Sequence, residues 1–274
     1  MKLGAHKSIA GGYTQALERI KNIGGNCLQI FSSSPRGWSF TKLDEVQRSL
    51  FLERNAELKI DPIYFHASYL VNLADAERIG NLSKLSLIAE LSITPKLKIK
   101  GSIIHLGSFK DMPDMPTLVN NIIEVLKKTP EESLFIIENA GNNKIGKDLK
   151  EIAEIINQVN NPRVRVCLDT CHLHAAGYDF TTSEKLDKFI IEFDKLIGLK
   201  KLELFHINDS KDPFNSGRDR HENIGRGSIG LKTFKLLLNH PITKHLPFII
   251  ETPGFDDNGP DKQNLDILKS LVSE

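Results

Sequence analysis

Eight short apolar or β-branched runs recur down the whole chain: LGAH, CLQIF, IYFHA, SIIHLG, LFIIENA, VRVCLDT, LELFHIND and FIIETPG. Between them lie segments whose apolar residues fall at helical spacing, among them YTQALERIKNI, LVNNIIEVLKK and LDKFIIEFDKLI. Strands joined by helical crossovers run parallel, and near-continuous apolar strands need cover on their outer side. Eight such units are the number that closes a barrel, so the pattern predicts one α/β domain over residues 1–274, a (β/α)8 TIM barrel. The length of 274 residues suits that reading, since such barrels run to about 250 residues. Pro116 is expected just before one helix and Ser183 as the cap of another. No Gly-, Pro- or Ser-rich linker, low-complexity tract or further repeat interrupts the alternation.

Seven of the eight runs end within a residue or two of His6, His66, His105, Glu138, Asp169, His206 or Glu251, and only CLQIF ends otherwise, in SSSPRGW. The carboxyl ends of barrel strands converge on one face, so these residues, far apart in sequence, are expected to meet around one hollow. A single strand-end histidine is most often a hydrogen-bonded structural group. Several imidazoles and carboxylates brought together in a partly enclosed space are costly unless metals neutralise them.

Two local motifs enlarge the set: LDTCHLHAAGYD offers Asp169 and His172, and GRDRHENIG offers Asp219 and His221. The candidate ligands are therefore His66, His105, Glu138, Asp169, His172, His206, Asp219, His221 and Glu251. Nine donors exceed the needs of one metal. Bridging carboxylates would let them hold three while leaving positions open for water and substrate.

Net charge narrows the function classes. Lys and Arg total 36 against 35 acidic residues, so any attraction to a polyanion must come from a local patch. Three divalent ions against four carboxylates would leave +2 at the mouth, which favours a phosphodiester. A non-catalytic DNA-binding module would have no use for open metal positions. Three cysteines are too few for a disulfide framework and point to a reducing compartment. The amino terminus, MKLGAHKSIAGG, has charge and glycine where a signal peptide has an apolar core, and no run reaches the length of a membrane span. A cytoplasmic protein with no membrane partner and no obligate protein partner is expected.

The segments HASYLVNL, IENAG, CLDTCHLHAAGYD, HINDSK, GRDRHENIGRG and FIIETPG resemble the endonuclease IV family of abasic-site endonucleases, from about Leu3 to Gly254. The resemblance implies a xylose-isomerase-like barrel. It implies that His66 and His105 serve one metal and that Glu138 bridges it to a second, also held by Asp169, His206 and Glu251. A third would take His172, Asp219 and His221. Three Zn2+ are implied, although imidazole and carboxylate donors also suit Mn2+ or Fe2+. The implied reaction is hydrolysis of the phosphodiester 5′ to an abasic site in duplex DNA. It leaves a 3′-hydroxyl and a 5′-deoxyribose phosphate, with removal of 3′ blocking groups as a related activity. Glu138 and Glu251 would be catalytic through metals that lower the pKa of water from 15.7 to about 7. The chain departs from the family in HLGSF, where a His-Pro-Gly step is usual, in AGNNKIG, where Gly-Gln-Gly is usual, and in SSSPRGW, which lacks a lysine before the proline.

By the same resemblance Arg36, Tyr69 and Leu70 would enter the base stack at an abasic nucleotide, which costs least to open. Lys110, Lys211, Arg218, Arg220 and Arg226 border the metal loops and would contact phosphates. Other features read as structural. GRGSIG (225–230) matches a dinucleotide fingerprint but follows no strand, so it is read as a loop entering a helix. Cys167 and Cys171 are read as small buried groups, and His6 and His174 as structural histidines. The rival enzyme is a metal-dependent sugar isomerase or epimerase of the xylose-isomerase-like barrels. Glu138, Asp169, His206 and Glu251 alone would fit it, but the remaining imidazoles would be surplus.

Overall fold

A computed structural model describes residues 1–38, 43–109 and 114–273. Its strands are β1 (Lys2–His6), β2 (Cys27–Phe31), β3 (Ile63–His66), β4 (Gly101–Ile104), β5 (Leu134–Glu138), β6 (Val164–Asp169), β7 (Leu202–His206), β8 (Asp209–Ser210), β9 (His221–Glu222) and β10 (Pro247–Ile250). All but β8 and β9 join in one closed parallel barrel, with β10 returning to pair with β1 through Leu3 and Phe248. The short strands β8 and β9 form an antiparallel pair after β7. Each expected strand is present, so the alternation does close as a TIM barrel.

The crossovers are α1 (Tyr13–Asn22), α2 (Glu45–Leu58), α3 (Arg78–Ile93), α4 (Met115–Lys127), α5 (Leu149–Val159), α6 (Thr170–Ala176), α7 (Ser183–Leu196), α8 (Leu231–Asn239) and α9 (Lys262–Leu271). Aspartates cap several of them: Asp44, Asp148 and Asp261 accept from the backbone of Val46 (2.7 Å), Lys150 (2.8 Å) and Asn264 (2.8 Å). Two expectations are corrected in detail. Thr182, not Ser183, caps α7, its hydroxyl accepting from Lys185 N at 3.3 Å. Pro116 lies inside the first turn of α4, which Asp114 caps; a proline is tolerated there because its missing N–H has no intrahelical partner.

The two-residue period of the strands divides the interior. Leu28, Ile30, Phe65, Phe135, Ile137, Leu168, Phe205, Phe248 and Ile250 point outward and pack beneath the helices. A full burial of such a side chain contributes about 1.5–3 kcal/mol, and this layer binds helices to barrel. Cys27, Tyr64, Ile103, Ile136, Cys167, Leu204 and Ile249 point inward and form a separate apolar cluster. Gly4 takes the same inward position on β1, where a Cβ would lie 2.0 Å from the carbonyl oxygen of Cys27; only glycine lets β1 and β2 approach so closely.

Candidate metal centre

Two residues beyond each inward apolar residue, every barrel strand presents a polar one: His6, Gln29, His66, His105, Glu138, Asp169, His206 and Glu251. The same pleat that aims Ile136 into the barrel aims Glu138 into it one layer higher. Asp169 also caps α6, accepting from His172 N at 3.0 Å, which fixes His172 one turn further along the mouth. The pair β8 and β9 sets His221 beside Ser210 and carries Asp219 on the loop between them.

All nine expected ligands gather here. His66, His105 and Glu138 form one group; Glu138, Asp169, His206 and Glu251 a second; His172, Asp219 and His221 a third, with donor atoms within 4.8 Å of one another in each. Glu138 is shared by the first two. Its Oε2 lies 3.2 Å from both His66 Nε2 and His105 Nε2, and its Oε1 2.9 Å from His206 Nδ1. A fourth grouping, Asp169, Cys171 and His221, overlaps the others. Burial pushes the Cys171 thiol far up, so it stays neutral and a poor ligand, as expected of a small buried group.

The donors are pre-oriented. His66, His172 and His221 place Nδ1 beside the carbonyl oxygens of Ala67 (2.8 Å), Asn139 (2.9 Å) and Glu251 (3.3 Å). A carbonyl only accepts, so each Nδ1 carries a proton and each Nε2 is the nitrogen turned into the cluster, where it would bind a metal in place of any proton shared with the facing carboxylates. His221 Nε2 is buried and has no hydrogen-bond partner among the described residues. The electrostatics agree with a site for cations. Burial opposes protonation of His172, but the Asp169, Asp219 and Glu138 carboxylates hold its pKa at about 10. Burial likewise opposes ionisation of Glu138, yet His105 and His206 hold it well below the usual carboxylate range. Carboxylates kept ionised in the interior and imidazoles aimed at them are a donor set that fits divalent metals of the zinc type.

His6, Phe31, Tyr69, Asp219 and Pro260 help wall a cavity of about 370 Å3 above these groups, within the range of small-molecule sites. A larger hollow of about 520 Å3 between α4 and α5 carries no such chemistry. Its Arg163 directs the guanidinium to the carbonyls of Ser133, Leu126 and Thr129.

Of the expected DNA contacts, Tyr69 lines the cavity itself. Tyr69 is 59% and Leu70 37% exposed. Ser68 Oγ and Tyr69 N both donate to the Pro35 carbonyl, which ties their loop to the one bearing exposed Arg36. Lys211, Arg218, Arg220 and Arg226 are all exposed; Arg220 holds Asp212 through Nε at 2.7 Å and a second nitrogen at 2.5 Å, and Arg218 approaches the same carboxylate at 3.7 Å. Lys110 lies outside the described residues.

Two residues escaped the sequence reading. Gln29 occupies the strand-end layer on β2, and only the spacing Cys27 to Gln29 hinted at it. Asp209 explains the glycine motif: its carboxylate accepts from the backbone of Gly225 (3.0 Å), Gly227 (3.1 Å) and Ile229 (2.9 Å). An internal carboxylate thus fills the amide nest that a phosphate would need, and a Cβ on Gly227 would lie 2.5 Å from it.

Comparison with known proteins agrees with this fold. The family model described as xylose isomerase-like TIM barrel matches residues 17–271. Probable endonuclease 4 of Persephonella marina is 35% identical over 279 residues, covering 99% of this chain and 97% of that protein. The crystal structure of endonuclease IV from Thermus thermophilus superposes with a TM-score of 0.87 at 29% identity, covering 99% and 98% of the two chains. A D-tagatose 3-epimerase-like protein superposes with a TM-score of 0.71 at 18% identity, covering 99% and 97%, a likeness of fold alone.

Proposed function

This chain belongs to the endonuclease IV family, within the xylose isomerase-like TIM barrels, and from that premise we propose that it is a metal-dependent hydrolase that incises duplex DNA at abasic sites. The bond cut is the phosphodiester 5′ to the abasic sugar, leaving a 3′-hydroxyl and a 5′-deoxyribose phosphate, and 3′ blocking groups are further substrates. The observation that carries this reading is the sorting of nine donors into three groups that share only Glu138.

His66, His105 and Glu138 would hold one ion, Glu138, Asp169, His206 and Glu251 a second, and His172, Asp219 and His221 a third, each taken as Zn2+. Bound there, the metals would acidify water, neutralise phosphate charge and stabilise the leaving oxygen. The chain's own residues do the rest. The backbone carbonyls beside His66, His172 and His221 fix which imidazole nitrogen faces inward. Glu138 and Glu251, kept ionised, supply the negative charge that holds cations at the floor of the mouth. Tyr69, Leu70 and Arg36 would enter the gap left by a missing base, where opening the stack costs least; the tie between their two loops through Pro35 supports their acting together. Lys211, Arg218 and Arg226 supply the local positive rim that net charge does not; Arg220 would reach phosphate only by leaving Asp212.

Among the described residues no helix is long and apolar enough to cross a membrane. The three cysteines are free and buried, which suits the cytoplasmic location expected from the sequence. A sugar epimerase would use the Glu138, Asp169, His206 and Glu251 group and leave the other five donors idle. The test is incision of a duplex with one abasic site, with and without chelator. Native protein should cut and chelated protein should not, and Glu251→Gln should lose cutting while keeping its circular dichroism. Native-rate cutting by that variant overturns the ligand assignment.

A further inference from the structure

β2 ends in neither imidazole nor carboxylate, yet Gln29 stands in the layer where the other seven barrel strands place one, and it is fully buried. Its amide touches three members of that layer: Nε2 lies 2.6 Å from Glu251 Oε1 and 2.9 Å from His6 Nδ1, and Oε1 lies 2.6 Å from His206 Nε2. These contacts leave little freedom. A carboxylate only accepts, so the amide nitrogen must face Glu251, and the amide oxygen is left to face His206. An oxygen acceptor at 2.6 Å obliges His206 Nε2 to carry the proton.

His206 Nδ1 is then the nitrogen left to bind a metal. It faces Glu138 Oε1 at 2.9 Å, Glu251 Oε2 at 3.3 Å and Asp169 Oδ2 at 3.8 Å. His206 is therefore the reverse of His66, His172 and His221, which give Nδ1–H to backbone carbonyls and present Nε2. A backbone acceptor comes with the fold. The acceptor for His206 Nε2 is a side chain, Gln29.

We infer that Gln29 is a positioning residue for the metal site of Glu138, Asp169, His206 and Glu251. It sets the Nε2–H tautomer of His206 and, together with His6, engages Glu251 Oε1 so that Oε2 is left to face inward. The inference rests on the proposed reading that this group holds a metal, and it can fail separately from the nuclease activity.

In zinc-loaded protein labelled with 15N-histidine, long-range nitrogen–proton correlation should show the proton on Nε2 of His206 and on Nδ1 of His66, His172 and His221. A proton on Nδ1 of His206 overturns the inference. The variant Gln29→Met keeps the chain length and removes the amide. In competition with a chromophoric chelator it should bind one zinc equivalent about 10–100-fold more weakly, the usual cost of losing such an outer partner, and the others as before. On abasic duplex kcat should fall while KM holds. Native affinity for every equivalent overturns the proposal, and if the variant does not fold, the tautomer in the unaltered protein decides alone. Failure of the unaltered protein to cut abasic DNA would remove the functional reading and leave the tautomer result standing.

Discussion

Inside the barrel, the layer of Cys27, Tyr64, Ile103, Ile136, Cys167, Leu204 and Ile249 lies one pleat below the layer of Gln29, His66, Glu138, Asp169, His206 and Glu251. The two occupy the same strands and point the same way. The lower one is held by dispersion and exclusion of water, needs no exact partner and stabilises the fold. The upper one buries ionisable groups, which costs free energy unless each charge is matched, and among the described residues the match is mutual and incomplete, with Nδ1 of His105, the strand-end residue after β4, left without a hydrogen-bond partner. A two-residue step along a strand therefore separates what makes the barrel stable from what makes it useful.

The largest effect should come from the residue that the upper layer leans on twice. Glu138→Gln removes an oxygen donor from two of the three groups at once. Metal stabilisation of a phosphoryl transition state amounts to several kcal/mol, so kcat/KM on abasic duplex should fall by about 10^3-fold or more. Unchanged turnover would erase the distinction between the layers. Next in size is the metals' own contribution to stability. Ligands that bind only the folded state add about 4 kcal/mol when present at about 1,000 times their dissociation constant, so chelation should lower the melting temperature and zinc should restore it in a concentration-dependent way. A melting temperature indifferent to chelator would mean that the upper layer satisfies itself.

The lower layer gives the opposite signature. Ile136 is fully buried two residues before Glu138, and Ile136→Ala should cost about 2–5 kcal/mol in chemical denaturation by opening a cavity. Zinc content and kcat at a temperature where the variant is folded should not move. Loss of zinc in step with stability would show that the layers are coupled.

Much of this contrast was legible because strand geometry is simple. A run such as LFIIE announces both its apolar side and the residue that ends it, so six of the nine donors could be named from strand ends, and His172, Asp219 and His221 from two local motifs. What escaped was what sequence chemistry does not flag. Gln29 has no charge and is no metal ligand, and its importance lies in touching His206 and Glu251, which come from distant strands. Asp209 sits inside a stretch that reads as part of the metal motif, while its carboxylate goes to three backbone amides. The short α6 hides within LDTCHLHAAGYD, where ligand spacing masks the helix. α9, KQNLDILKSL, is short and mostly polar and buries only Asn264, Leu265 and Leu268.

Glu90 sharpens the comparison from outside the barrel, because it is a buried carboxylate without the upper layer's imidazoles packed around it. It lies on the buried side of α3, and its oxygens accept from Ser32 Oγ at 2.5 Å and from Ser102 Oγ. Burial pushes its pKa up to about 7; the two hydroxyls and the more distant His66 pull the other way and do not prevail. Glu138, equally buried, is driven in the opposite direction by its imidazoles. With the folded pKa above the unfolded one, the native state binds the extra proton between about pH 4.5 and 7. Stability from this group is therefore fully present below about 4.5, falls as pH rises to about 7, and is flat beyond. One proton corresponds to at most about 1.4 kcal/mol per pH unit. Urea denaturation of zinc-loaded protein at several pH values should show Glu90→Gln gaining on the native protein across that window and running parallel to it above. A constant offset at every pH would mean that Ser32 and Ser102 hold Glu90 ionised, and that two hydroxyls can do for a buried carboxylate what the upper layer needs imidazoles and metals to do.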